Sequence, residues 1–180
     1  MTVNNLRQLT KLLFPFSSDQ IERNPSGGGS YVSHPVVEQR ILDVLGPITT
    51  EMVQVLRGDV PGKAPDPKGS SARAKAGTPD LDGAVVGVVL RMTAVVDGRT
   101  VVVEEVGDCE QPHNWPHDGA RAKDAFSDAY KRCAMRLGVG LHLWAQEHFY
   151  LGPKLLKQDQ GDAEPPAGKK APPIPEGENR

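Results

Sequence analysis

The sequence predicts an α+β fold, a three-stranded antiparallel sheet with a β-hairpin packed on a long helix in the order β-β-β-α, with short helices flanking it. Three patterns carry this expectation. A long β-branched run, AVVGVVLRMTAVV followed by RTVVVEEV, is broken only by Asp97-Gly98; a shorter β-branched segment, ITTEMVQVL, precedes it; and apolar residues recur every three or four positions from Asp118 to Leu137.

Taken in order, Leu6, Leu9, Leu12 and Leu13 fall at roughly helical spacing across residues 4–14 before Pro15 stops the run. Residues 18–23 read as a further helical turn. Asn24-Pro25-Ser26-Gly27-Gly28-Gly29 must be irregular, because three consecutive glycines carry too much backbone freedom for the interior of an element. Ser33 is placed to cap a helix with Pro35 in its first turn and Val36, Val37, Ile41, Leu42 and Leu45 on one face, ending at Gly46. Residues 48–56 read as the first strand of the sheet. Residues 58–80 lack large apolar side chains and read as a flexible insertion, whose Lys63, Lys68, Arg73 and Lys75 make it a basic arm or a solvated linker. Residues 84–96 and 99–106 pair as a hairpin, since Asp-Gly between β-branched runs favours a type I′ turn with both central residues at positive φ. Asp118 is placed to cap the long helix, with Ala122, Phe126, Ala129, Cys133 and Leu137 forming its buried stripe. One domain is expected over residues 1–152, followed by a disordered tail over 153–180, rich in Pro, Gly and charge.

Composition narrows the function. A chain of 180 residues with a net charge of -2 does not coat nucleic acid through bulk electrostatics, so any such site has to be a local basic stripe. Two cysteines make no secreted disulfide framework, the N-terminus lacks signal-peptide features, and no segment approaches the roughly 20 apolar residues of a membrane helix. The expectation is a soluble cytoplasmic protein with no membrane partner.

Local basic character is concentrated on the long helix, which carries Arg121, Lys123, Lys131, Arg132 and Arg136. At ~100° per residue Arg121, Arg132 and Arg136 lie within roughly 60° of one another, about a quarter turn from the apolar stripe. Asp124 and Asp128 share that sector, and Asp128 and Arg132 form an i,i+4 pair, so a salt-bridged solvent face accounts for the same pattern. Helical arithmetic leaves both readings open.

Other chemistries find less support. Cys109, His113 and His117, with Cys133 as a fourth ligand, offer donor types that suit zinc, at a spacing that matches no common zinc module. There is no phosphate-binding Gly-x4-Gly-Lys-Ser/Thr sequence and no nucleophile elbow, and Glu104 and Glu105, as neighbours on a strand, point to opposite faces. The expectation is a non-enzymatic protein without a cofactor. A double-stranded RNA-binding module is a further alternative, since such domains also set three strands against helices.

The segment DAFSDAYKRCAMRLGVGLHLW, from Asp124 to Trp144, resembles the signature helix of the Rad-fifty-two family of single-strand annealing proteins: an acidic or alanine-rich turn, Asp, two residues, Lys-Arg, an apolar turn and a Gly-x-Gly break. Arg23 with the Gly27-Gly28-Gly29 run and Tyr31-Val32 is similar to the family's arginine, glycine-rich turn and Tyr-Ile strand, and the hairpin at Asp97-Gly98 and Gly107 follow in the family's order. The sequence departs from the family at Pro47-Ile48, where a tryptophan is common, at Met135, which displaces a further basic residue to Arg136, and in the length of the 58–80 insertion. The resemblance implies ATP-independent binding of single-stranded DNA and annealing of complementary strands in homologous recombination and DNA repair, in phage, prophage or bacterial cells. It implies a homo-oligomeric ring, with a single-strand-binding protein or an exonuclease as a candidate partner. It assigns the DNA backbone to Lys131 and Arg132, with Arg23 as a third contact; the remaining cations of the helix, Arg136, Arg121 and Lys123, complete the expected set.

Overall fold

In the computed structural model, which describes residues 6–23, 29–145 and 148–161, the alternation of the β-branched runs becomes a meander of three long strands. The strands β3 (Thr49–Val60), β4 (Leu81–Val96) and β5 (Arg99–Asp108) lie in the order β3-β4-β5, antiparallel throughout. They follow β1 (Glu22–Arg23) and β2 (Ser30–Tyr31), a separate two-stranded ribbon. The β4–β5 turn has Asp97 at φ 49° and Gly98 at φ 75°, the two positive values that a tight hairpin demands and that Asp-Gly supplies at little steric cost.

Period-two alternation sorts the hairpin into faces. Val88, Leu90, Met92, Ala94 and Val96 are buried, while Val95, Val102 and Val106 on the opposite face are about half exposed. The buried face packs on α4 (Asp118–Arg136), whose Ala125, Ala129, Cys133 and Ala134 are inaccessible to solvent. Small side chains let helix and strand approach closely. A Cβ added to Gly107 would lie 2.2 Å from the Ala125 carbonyl oxygen and 2.3 Å from the Ala129 nitrogen, so β5 lies backbone to backbone against the helix. The Cys133 thiol reaches the Leu90 carbonyl at 3.6 Å, and burial raises its pKa to about 11, which keeps it protonated and inert.

Around this core lie α1 (Gln8–Leu12), α2 (His34–Leu45), α3 (Ala72–Ala76), α5 (Leu141–Ala145) and α6 (Leu151–Asp159). Leu12, Phe16, Val37 and Ile41 seal the end of the core. Arg40 ties α2 to the segment after α1, donating to the Phe14 carbonyl at 2.7 Å while its guanidinium rests 4.5 Å from the Phe16 ring centroid. Among the described residues no helix is long and apolar enough to cross a membrane.

Several expectations need correction. Leu42 is 46% exposed, because α2 packs through Val37 and Ile41, and Leu42 sits a further ~100° around the helix. Ser33 occupies the N-cap position of α2 without a side-chain capping bond. Phe126 and Ala122 are only half-buried; Ala125 and Ala134 take the central positions against the sheet. The first turn of α4 is capped by His117, which accepts from the Ala120 N–H, while Asp118 is already helical. Residues 22–23 are extended rather than helical. The 58–80 insertion is partly structured: β3 continues to Val60 through three register shifts, Lys63 bridges Thr78, and α3 lies between. The expected boundary at residue 153 cuts through α6, whose Asp159 accepts from the Thr10 hydroxyl and from the Arg7 backbone and side chain. Residues 162–180 of the expected tail, and residues 24–28 of the glycine-rich turn, lie outside the described residues.

Candidate nucleic-acid interface

The helical spacing of α4 turns Ala129, Cys133 and Ala134 inward and leaves Lys131 and Arg132 on the rim of the packed face, both half-buried along their stems. They border a cavity of about 100 Å³ that is also lined by Tyr31, Met135, Leu143 and Trp144. The chain turns sharply after α4. Gly138 and Gly140 adopt φ of 103° and 73°, and a Cβ at Gly138 would meet the Leu13 side chain at 2.8 Å, so glycine suits this turn into α5, whose Leu143 and Trp144 share the cavity with α4. On the far wall, β2 supplies Ser30 and Tyr31.

Arg132 donates from Nε to Asp128 at 2.7 Å, and this bond, followed by the charges of Asp128, Asp108 and Glu105, raises its already high pKa against the opposing effect of burial. The bond occupies one edge of the guanidinium; the terminal nitrogens make no hydrogen bond to the described residues. Lys131 forms no ion pair among them. Arg23 is exposed and pairs in register with Ser30, one strand away from the cavity wall. Lys131 and Arg132 thus line one concavity, and Arg23 stands on the strand paired with its wall without lining it.

The other three do not join it. Arg121 is 7% exposed, and its guanidinium is consumed by the carbonyls of Pro112 and Trp115 and by the Asp118 carboxylate, all at 3.0 Å. This corrects its assignment as a contact residue: a 3-10 turn at Pro112–Asn114 folds over the helix and wraps the side chain. Arg136 is exposed but pairs with Glu105 at 3.1 Å, and Met135 takes the place on the cavity. Lys123 is exposed and lines neither of the two grooves around Lys131.

No family model matches the chain, and no curated protein matches it.

The assignment of the site thus rests on its geometry and electrostatics. A second, open groove of about 440 Å³ adjoins the first and carries Asp108, Glu110, Asp124 and Asp128 beside the same Lys131 and Arg132. The two cations stand on a ridge between an acidic groove and an aromatic one. On the first side the cations face four carboxylates; on the second Asp128 lines the groove and Glu22 accepts from the Tyr31 hydroxyl at 2.7 Å.

Behind Lys131, His34 stacks on Tyr130 with ring centroids 4.5 Å apart, and its Nδ1 lies 3.0 Å from the Ser127 hydroxyl. Burial, reinforced by the Lys131 charge and opposed by Glu38, lowers the His34 pKa.

The alternative zinc site is not assembled. His117 is engaged in capping α4, His113 meets the Pro79 carbonyl at 3.0 Å, and Cys109 is buried with its thiol pKa raised by desolvation to about 11. No group of three or more His, Cys, Asp or Glu side chains among the described residues is placed to hold a metal ion. Glu104 and Glu105 do diverge, the first pairing with Arg91 on the open face and the second with Arg136 beside the helix.

Tyr31 and Trp144 are the site residues that helix arithmetic missed. Trp144 is 70% exposed and Tyr31 38%, unusual for large rings beside a cavity. The signal in the sequence was the Gly138-Val139-Gly140 break, which lets the chain bring Trp144 back beside the Lys-Arg pair.

Proposed function

We propose that this chain binds single-stranded DNA and anneals complementary strands without ATP, acting in recombination and repair in the cytoplasm of a bacterial or phage-infected cell. One observation carries the reading: Lys131, free of any ion pair among the described residues, lines a groove together with Arg132, while Arg23 lies one strand away from the groove wall. Annealing makes and breaks no covalent bond. It needs phosphate charge offset so that two polyanions can approach, and base edges left free to pair. Cations fixed on a helix that is locked to a sheet meet both needs without a cofactor.

Assembly into a homo-oligomeric ring belongs to the same proposal and would join the grooves of successive subunits into one track. A single-strand-binding protein or an exonuclease is the proposed class of partner. Double-stranded RNA recognition is less well supported, because a duplex is read across a wide, shallow surface and this site is a narrow concavity with one cluster of cations.

The deciding experiment follows two complementary labelled oligonucleotides by fluorescence, with no nucleotide added, across a salt series. Accelerated annealing that weakens with salt is expected; a requirement for ATP, or no acceleration at any salt, would overturn the reading. Sedimentation at several concentrations tests the ring, and a strict monomer would remove it.

A further inference from the structure

The groove beside Lys131 contains more aromatic surface than phosphate binding requires. Trp144 projects from the five-residue α5 with 70% of its surface in water, and Tyr31 is 38% exposed across the same cavity. Burial of an indole is among the larger gains available to a side chain, and neither ring is used to complete the core. Tyr31 is also held in place: its hydroxyl donates to Glu22 at 2.7 Å, tying the ring to the β1–β2 ribbon. Val139, Leu143 and Met135 add apolar lining to the cavity, and its charged lining is Lys131 with Arg132 and the Asp128 that pairs with Arg132. Flat apolar rings within reach of cations match the chemistry of a nucleotide, which joins a flat π-face to a phosphate.

From this we infer that the cavity is a nucleobase subsite: a single unstacked base of the bound strand lies against Trp144 and Tyr31 while its phosphate is held by Lys131 and Arg132. The inference rests on the single-strand reading above and adds a contact to the base. Stacking engages the ring face and leaves the hydrogen-bonding edge unused, so it is compatible with pairing. It discriminates weakly among bases, since every base has a π-face. It separates single strands from duplexes sharply, because bases within a duplex are already stacked on one another.

The chain has two tryptophans, so Trp115→Phe leaves Trp144 as the sole indole reporter. Trp115 lies outside the cavity, where its indole N–H donates to Asp124 at 3.2 Å. The full-length Trp115→Phe protein is titrated with a thymidine 20-mer and with an abasic deoxyribose-phosphate strand of equal length, recording tryptophan emission and, separately, the anisotropy of a dye on the strand. Quenching of Trp144 by the thymidine strand and not by the abasic one is expected. In the parent chain, Trp144→Ala is expected to weaken thymidine binding by about tenfold, in line with the loss of one base–aromatic stack, with abasic binding unchanged and with Trp144→Phe restoring most of the loss. Equal binding of the two strands without quenching would overturn the subsite and leave the backbone reading intact. Equal losses on both strands in Trp144→Ala, not recovered in Trp144→Phe, would overturn the subsite by marking a purely structural role. Failure of the unsubstituted protein to bind either strand would overturn both proposals.

Discussion

The Asp97 carboxylate at the tip of the β4–β5 hairpin accepts the backbone N–H of Gln8, and the Gln8 side-chain carbonyl accepts the backbone N–H of Asp97, at 2.7 Å in each direction. The second carboxylate oxygen takes the Leu9 N–H at 3.3 Å. A helix five residues long is too short to be stable alone, and its unpaired N-terminal N–H groups are satisfied from 89 residues away. Asp97→Gly retains the positive φ of the turn and removes only the cap. It is expected to lower stability by about 1 kcal/mol in urea titration, while Asp97→Asn, which keeps an acceptor and tolerates the backbone, should cost less.

Lys131→Ala and Arg132→Ala are expected to weaken single-strand binding without changing the thermal midpoint, since neither side chain lies in the apolar core. Each lost phosphate contact should reduce the slope of log affinity against log salt by roughly 0.7. Fluorescence anisotropy at four salt concentrations reads both quantities, and unchanged slopes would remove these residues from the interface.

Arg121→Ala should behave in the opposite way. Its three hydrogen bonds hold the 3-10 turn against α4, so the substitution leaves the Pro112 and Trp115 carbonyls without their donor. A loss of about 2 kcal/mol in chemical unfolding is expected, with affinity for single strands intact under native conditions.

Gly107→Ala tests the backbone seam between β5 and α4. A methyl group there cannot be accommodated by rotating a side chain, because the atoms it meets are backbone atoms of Ala125 and Ala129. Helix and sheet would have to separate, and a loss of about 3 kcal/mol or a failure to fold is expected on expression and calorimetry.

His34 and His142 both titrate below the ordinary 6.5, the first chiefly through burial and the second through burial and then the charge of Arg40. A histidine whose folded pKa is depressed gives stability that is present in full above its unfolded value and is lost as pH falls through the folded value. The urea midpoint should therefore decline as pH drops from about 6.5 towards 5. His142 Nε2 accepts the Phe16 N–H at 3.2 Å, so His142→Gln, which keeps an acceptor and cannot titrate, should flatten that decline.

What the sequence revealed and what it concealed follow from the range of the interactions. The hairpin turn was legible because Asp97 and Gly98 decide it locally, and the sheet and long helix were legible because their periods of two and near four are written in neighbouring residues. Arg121 was misread because its helical angle resembles that of Arg132, and only the returning 3-10 turn distinguishes them. Helix α6 was hidden by the composition around it; Leu155 and Leu156 are half-buried, and the partners of Asp159 lie some 150 residues earlier. The convergence of Tyr31, Lys131 and Trp144 is tertiary, and no window of the sequence contains it.

The seam between Gly107 and the alanines of α4 has an evolutionary corollary. Where main chain rests on main chain, the placement of everything mounted on the helix is inherited from the skeleton and owes little to neighbouring side chains. Charges on the outward turns of α4 can then be exchanged one at a time while the ridge that carries them stays put.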